Sequence, residues 1–175
     1  MKVKYLIALF GLVSGLAMAA EHPMGTIKGT NIDHKTYDHA MAGSIKDALV
    51  WGFVNEATFT SNLIMRKDEQ IIEATFARVD GKVGGKIEHT VADKRIVTTI
   101  YLVKIVKETN EMVLSINDQE VKVAIQGAYE NDHFINPTYT AVINGETFSF
   151  QMAGEACFGY SFHLTALIFG AYVHQ

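Results

Sequence analysis

The chain has 175 residues, a formal net charge of −4 and a hydrophobic fraction of 49%, enough for a single domain that holds itself together by packing. Fifteen Lys and Arg stand against 19 Asp and Glu, and no basic run exceeds the pairs Arg66-Lys67 and Lys94-Arg95. This argues against nucleic acid or an anionic membrane surface as the main partner, and the single cysteine, Cys157, excludes an internal disulfide.

Residues 1–19 read as a secretion signal. Lys2 and Lys4 give a positive start, and Leu6 to Leu16 forms an apolar core too short to span a bilayer. Ala17-Met18-Ala19 then supplies small residues where a signal peptidase reads. No cysteine follows the apolar core, which speaks against an acylated lipoprotein. Cleavage after Ala19 removes two lysines and no acid, so the net charge moves from −4 to −6. The expectation is a periplasmic or secreted protein, with the outer membrane as the alternative location.

Ala20 to Gly43 is rich in Gly, His, Asp and Thr and has no sustained period, so it reads as an extended N-terminal arm over residues 20–43. The arm is also where metal ligands gather. A mature chain starting Ala20-Glu21-His22 offers an amine, two backbone amides and an imidazole, the square of four nitrogens that suits Cu(II) or Ni(II). His22-Pro23-Met24 and His39-Ala40-Met41 add imidazole–thioether pairs of the kind Cu(I) accepts. Ala20, His22, Met24, His39 and Met41 are thus the candidate metal ligands, with copper the expected ion. Five of the seven histidines (His22, His34, His39, His89 and His133) directly follow an acidic residue. Strand neighbours point to opposite faces, so these pairs read as polar turn residues rather than Asp–His dyads.

Ser44-Ile45-Lys46-Asp47 has the pattern of a helix N-cap, and Ile45, Ala48, Leu49 and Gly52 share a helical face. Leu49 to Val54 is β-rich, however, and favours a strand from Val50 onward. From Glu56 the apolar period is two. Strands are expected over Gln70 to Val79, Lys82 to Val91, Ile96 to Glu108, Met112 to Ile116, Val121 to Glu130, Thr138 to Ile143, Thr147 to Met152 and Phe158 to Val173. Asp80-Gly81, Asn117-Asp118 and Asn144-Gly145 mark hairpin turns, because Asp, Asn and Gly tolerate positive φ.

No repeat or composition break divides residues 44–175, which therefore read as one all-β domain. Short turns between consecutive strands favour a single antiparallel meander barrel of about eight strands, or a barrel-like sandwich. A small outer-membrane barrel shares the length and the alternation. Against it stand a terminus of Val173-His174-Gln175 in place of an aromatic residue, the lack of alternating long loops, and the lack of aromatic girdles. Two expected strands are apolar on both faces. In one, Ile96, Ile100, Leu102 and Val106 oppose Val97, Tyr101, Val103 and Ile105; in the other, Leu164 and Ile168 oppose Leu167, Phe169 and Val173. Each needs a cover, whether the arm, a second subunit in a homodimer, a partner, a ligand or lipid.

No enzyme signature is present: there is no Gly-x-Ser-x-Gly elbow, phosphate loop or His-Glu-x-x-His helix. A carboxylate pair such as Glu88 with Glu155 or Asp132 is the one hydrolytic option left. Cys157, among Gly154, Glu155, Ala156 and Phe158, reads as a buried thiol. His163, between Phe162 and Leu164, reads as a hydrogen-bonded core or lumen histidine. The function expected is an exported small barrel that binds an apolar small molecule or a protein partner surface, with His163, Tyr160 and Tyr101 as ligand-orienting groups. Copper or nickel binding by the arm is the second expectation, and a membrane barrel the third.

Overall fold

The computed structural model describes residues 25–55 and 58–175. Its elements in chain order are β1 (Gly25–Gly29), β2 (Ile32–Tyr37), β3 (Ala40–Ile45), β4 (Ala48–Asn55), β5 (Thr60–Lys67), β6 (Gln70–Val79) and β7 (Lys82–Val91). Then follow β8 (Lys94–Val106), β9 (Glu111–Ile116), β10 (Gln119–Glu130), β11 (His133–Ile143), β12 (Glu146–Met152), β13 (Glu155–Ala156) and α1 (Phe158–Val173). Each strand from β1 to β12 pairs antiparallel with its chain neighbours, and β1 closes on β12 through Ile27↔Met152. The result is a twelve-stranded meander barrel, in which closure leaves no edge to pair with another chain. The short β13 lies on β11, with Ala156 opposite Phe134.

Tight turns set this register. Both central residues have positive φ at Asp80-Gly81, Ala92-Asp93, Asn117-Asp118, Asn131-Asp132 and Asn144-Gly145, the type I′ geometry whose twist matches that of the flanking strands.

The all-β barrel is as expected from the sequence, with twelve strands in place of about eight. Residues 25–43, read as an arm, form β1, β2 and most of β3 inside the barrel wall. Their period-two signal is present but disguised. The inward positions of β2 are Ile32, His34 and Thr36, all buried, while Asp33 and Lys35 face outward. The N-cap pattern at Ser44–Asp47 is instead the β3–β4 turn, with Lys46 at φ 51°. Phe158–Val173 is a helix, not a strand.

The helix answers a problem of width. Eight strands enclose a space that wall side chains can fill, and the lumen grows with strand number. Twelve strands leave an axial space that α1 occupies. Sixteen residues make a rod about 24 Å long, commensurate with the barrel wall. Phe158 and every residue from Ser161 to Ala171 are buried, so the helix is covered on all sides by inward-facing residues such as Leu63, Met65, Phe76, Ile87, Ile100, Leu114 and Phe150. Glycines permit the closest approaches: a Cβ on Gly52 would stand 2.8 Å from Leu167 Cδ1, and one on Gly170 would stand 2.8 Å from Ile87 and Ile100.

The outer wall is polar over most of its circumference, with Lys28, Lys35, Glu73, Lys86 and Lys122 exposed along the strands. Exposed apolar side chains interrupt it on several strands, Ile71 and Val79 of β6 and Val142 of β11 among them, and two regions stand out. Val97, Tyr101 and Val103 of β8 lie outside and are 37–48% exposed, so the second apolar face of that strand has no cover among the described residues. On β4, Leu49, Trp51 and Phe53 also face outward. Their cross-strand neighbours Ala42 and Ala40 on β3 are small, so the Trp51 and Phe53 rings are half-buried against the wall.

Candidate functional site

The axial helix gives the barrel two different mouths. At one, the β2–β3 and β10–β11 turns and β13 surround the N-terminus of α1. At the other, the β3–β4, β5–β6 and β7–β8 turns surround its C-terminus. Between the mouths the lumen is packed, and polar groups there are paired from wall to helix or within the helix. Ser61 Oγ of β5 bonds His163 Nδ1 at 2.9 Å, Tyr139 Oη of β11 bonds Ser161 Oγ at 2.9 Å, and Thr165 Oγ1 donates back to Ser161 O at 2.8 Å. Burial lowers the His163 pKa and raises that of Tyr139, so both stay neutral. His34, fully buried on β2, is the exception: neither ring nitrogen has a partner among the described residues. Desolvation pushes its pKa down to about 4.

At the N-terminal mouth lies a cavity of about 400 Å³, within the range of small-molecule sites. Tyr37, Met152, Ala156 and Tyr160 supply its apolar surface, while Asp38, His39, His133, Glu155 and Cys157 supply polar atoms. Cys157 is the N-cap of α1, its sulfur accepting from the Tyr160 N–H at 3.4 Å. It is half-buried rather than the core thiol expected. His133 Nδ1 bonds the Asn131 carbonyl at 2.9 Å, which leaves Nε2 as its acceptor nitrogen.

The C-terminal mouth holds a smaller cavity of about 230 Å³. Here His174, which caps α1, bonds Thr98 Oγ1 through Nδ1 at 2.9 Å and His89 Nδ1 through Nε2 at 2.6 Å. Burial, with a smaller contribution from the charge of His89, pushes the His174 pKa down to about 4.

The candidate ligand residues therefore lie in three places. Tyr160 lines the N-terminal cavity, and His163 is bonded to the wall inside the lumen. Tyr101 is on the outer wall, where it lies across Gly84 of β7. Of the candidate metal ligands, Ala20, His22 and Met24 lie outside the described residues. His39 sits in the β2–β3 turn with its ring at the N-terminal cavity, beside Asp38 at 3.2 Å, whereas Met41 points into the core. Among the described residues no group of three or more His, Cys, Asp or Glu is arranged to hold a metal ion. Nor do Glu88 and Glu155 meet. Glu88 is on the outer wall, where hydrogen bonds from Arg95 and Lys86, each at 2.7 Å, bring its pKa down to about 2. Glu155 lines the N-terminal cavity.

The reading of acid–histidine pairs as turn residues fits His39 but not His34, His89 or His133, which are strand residues, His133 being the first of β11. The link between His89 and His174 has no local signal, since 85 residues separate them and only barrel closure brings them together. Comparison with protein-family models, with curated proteins and with solved structures finds no match.

Proposed function

We propose that the protein is an exported, water-soluble barrel that binds a small amphipathic molecule at its N-terminal mouth. The observation that carries this reading is the 400 Å³ cavity above the start of α1, where aromatic and thioether surface meets imidazole, carboxylate and thiol groups. With the lumen taken up by α1, a ligand finds space at a mouth rather than along the axis. The polar outer wall and apolar interior favour a soluble barrel, since a membrane barrel carries its apolar band outside. The leader favours export. In titrations with the neutral apolar probe N-phenyl-1-naphthylamine, the native protein should give a saturable rise in fluorescence with one site per chain. Tyr160→Ala should weaken that binding about tenfold, or about 1.4 kcal/mol. The absence of a saturable site, or one indifferent to Tyr160→Ala, would reject the reading.

A second reading, copper binding, is favoured by the position of β1. This strand begins at the same mouth, with Gly25 opposite Thr36 and the Ala153 N–H bonded to Thr26 O at 2.8 Å. Met24 and His22 lie one and three residues ahead of Gly25 in the sequence, and His39 is already at the cavity. Protein beginning at Ala20 should take up one Cu(II) with the d–d absorption of a four-nitrogen plane, more weakly as pH falls because protons compete for the nitrogens. His22→Ala, or one extra residue ahead of Ala20, should abolish that spectrum. Its persistence in either variant would remove the amino-terminal site.

A further inference from the structure

We propose that the His89–His174 pair is an acid-sensitive latch, fastening the C-terminal end of the lumen helix to the β7–β8 rim and releasing it when both rings are protonated. The geometry restricts the pair to one shared proton. His174 spends both ring nitrogens, Nδ1 on Thr98 Oγ1 and Nε2 on His89 Nδ1, and the latter gap is 2.6 Å. With both rings neutral, a single N–H fills the gap. One added proton is tolerated, because whichever ring takes it, one N–H still faces one lone pair. The second proton puts N–H groups on both sides of the gap and two like charges in ring contact, with centroids 4.6 Å apart. No bond survives that arrangement, so the rings must separate.

The surroundings do little to compensate a second charge. Lys67, Asp68 and Gln70 line the cavity from the β5–β6 hairpin; Lys67 Nζ is paired with Asp47 of the β3–β4 turn at 3.4 Å, and Asp68 is the one acidic side chain among the described residues lining the cavity. The other wall groups at the pair are Met65, Ile72, Val91 and Ile96. Glu88 faces the opposite side of β7 and is already held by Lys86 and Arg95. Burial and the neighbouring charge both disfavour protonated His174, which places release at a pH near 4.

Release is local because the other side of the helix end is tied without imidazole. Lys46 Nζ donates to Tyr172 O at 3.0 Å and lies over the Tyr172 ring, and Gln175 Nε2 donates to Ile45 O at 3.0 Å. These contacts hold the end to the β3–β4 turn while the β7–β8 side comes free. The end of α1 then tilts on that tether, widening the cavity beside it toward the core.

Amide hydrogen exchange on the native protein, followed residue by residue from about pH 7 to about pH 3.5, tests this. After correction for intrinsic rates, Ala171 to His174 should lose protection by up to about tenfold per pH unit as the pH falls toward about 4, the slope for one proton taken up on opening. Phe162 to Ile168 should stay protected over the same range. In His89→Asn the acid step should vanish, because an amide can offer N–H to a neutral His174 or C=O to a protonated one. His34→Leu, which leaves the latch intact, should keep the step. Protection that stays flat in the wild type until the whole barrel unfolds, or a step that persists in His89→Asn, would overturn the proposal.

Discussion

Phe169→Ala should cost about 4 kcal/mol of unfolding free energy, near the upper part of the range for deleting a buried ring. Phe169 is fully buried at mid-lumen and meets Phe148 and Phe150 edge to face, at centroid distances of 5.1 and 5.6 Å. Two features keep the loss large. Edge-to-face contacts contribute beyond the area they bury. The cavity also resists collapse, because a closed ring of hydrogen-bonded strands surrounds it and cannot contract at one level without straining the register above and below. Urea unfolding followed by circular dichroism, and by the single tryptophan, Trp51 of β4, should show the midpoint fall with the m-value unchanged. The comparison is Phe59→Ala, at a ring that is 60% exposed, which should stay within about 0.5 kcal/mol. A loss below about 1 kcal/mol at Phe169 would mean that the wall is stable without its helix.

The same packing explains why the helix was the part of the fold least visible in the sequence. A helix on a surface betrays itself by an apolar stripe, and α1 has none because apolar walls surround it. Leu164, Leu167, Ile168 and Phe169 satisfy a helical and an extended pattern equally well. Length was the remaining cue: sixteen residues with no Pro, Asn or Asp exceed the usual strand. By contrast β6 and β7, Gln70–Val79 and Lys82–Val91, have the bounds read from the sequence, because alternation is clean and Asp80-Gly81 fixes the turn between them. The first three strands were obscured for the opposite reason. Their inward positions include His34 and Thr36, and β4 beside them carries Leu49, Trp51 and Phe53 on the outside. Polarity is locally inverted on both faces, so a hydropathy pattern sees an arm. Tyr160 and His39 were legible as candidate site residues by type alone. That they share a mouth with His133 and Cys157 depends on closure between β1 and β12, which no spacing encodes.

His34→Leu should raise stability by about 1–3 kcal/mol at neutral pH, the cost of a buried polar group left without a partner. Every other buried imidazole in the lumen is bonded: His163 to Ser61, and His174 to Thr98 and His89. His34 instead faces inward between Ile27 of β1 and Gly43 of β3, with no exposed surface and no hydrogen-bond partner among the described residues. The same burial makes it an acid liability. Burial holds its pKa at about 4 in the folded protein, against about 6.5 for an exposed imidazole, so the unfolded chain binds the proton first. The stability associated with the neutral ring is whole above about pH 6.5, declines as pH falls from there, and is about 3 kcal/mol lower once the pH is below about 4. Leucine carries no such penalty. Urea titrations of wild type and His34→Leu at about pH 7 and about pH 4.5 should therefore show the variant ahead at both, with its advantage larger by about 2 kcal/mol at the lower pH. A variant less stable than wild type at neutral pH would show instead that the ring is bonded in the folded protein. An advantage that does not grow on acidification would show that the His34 ring does not contribute to any acid sensitivity of the barrel.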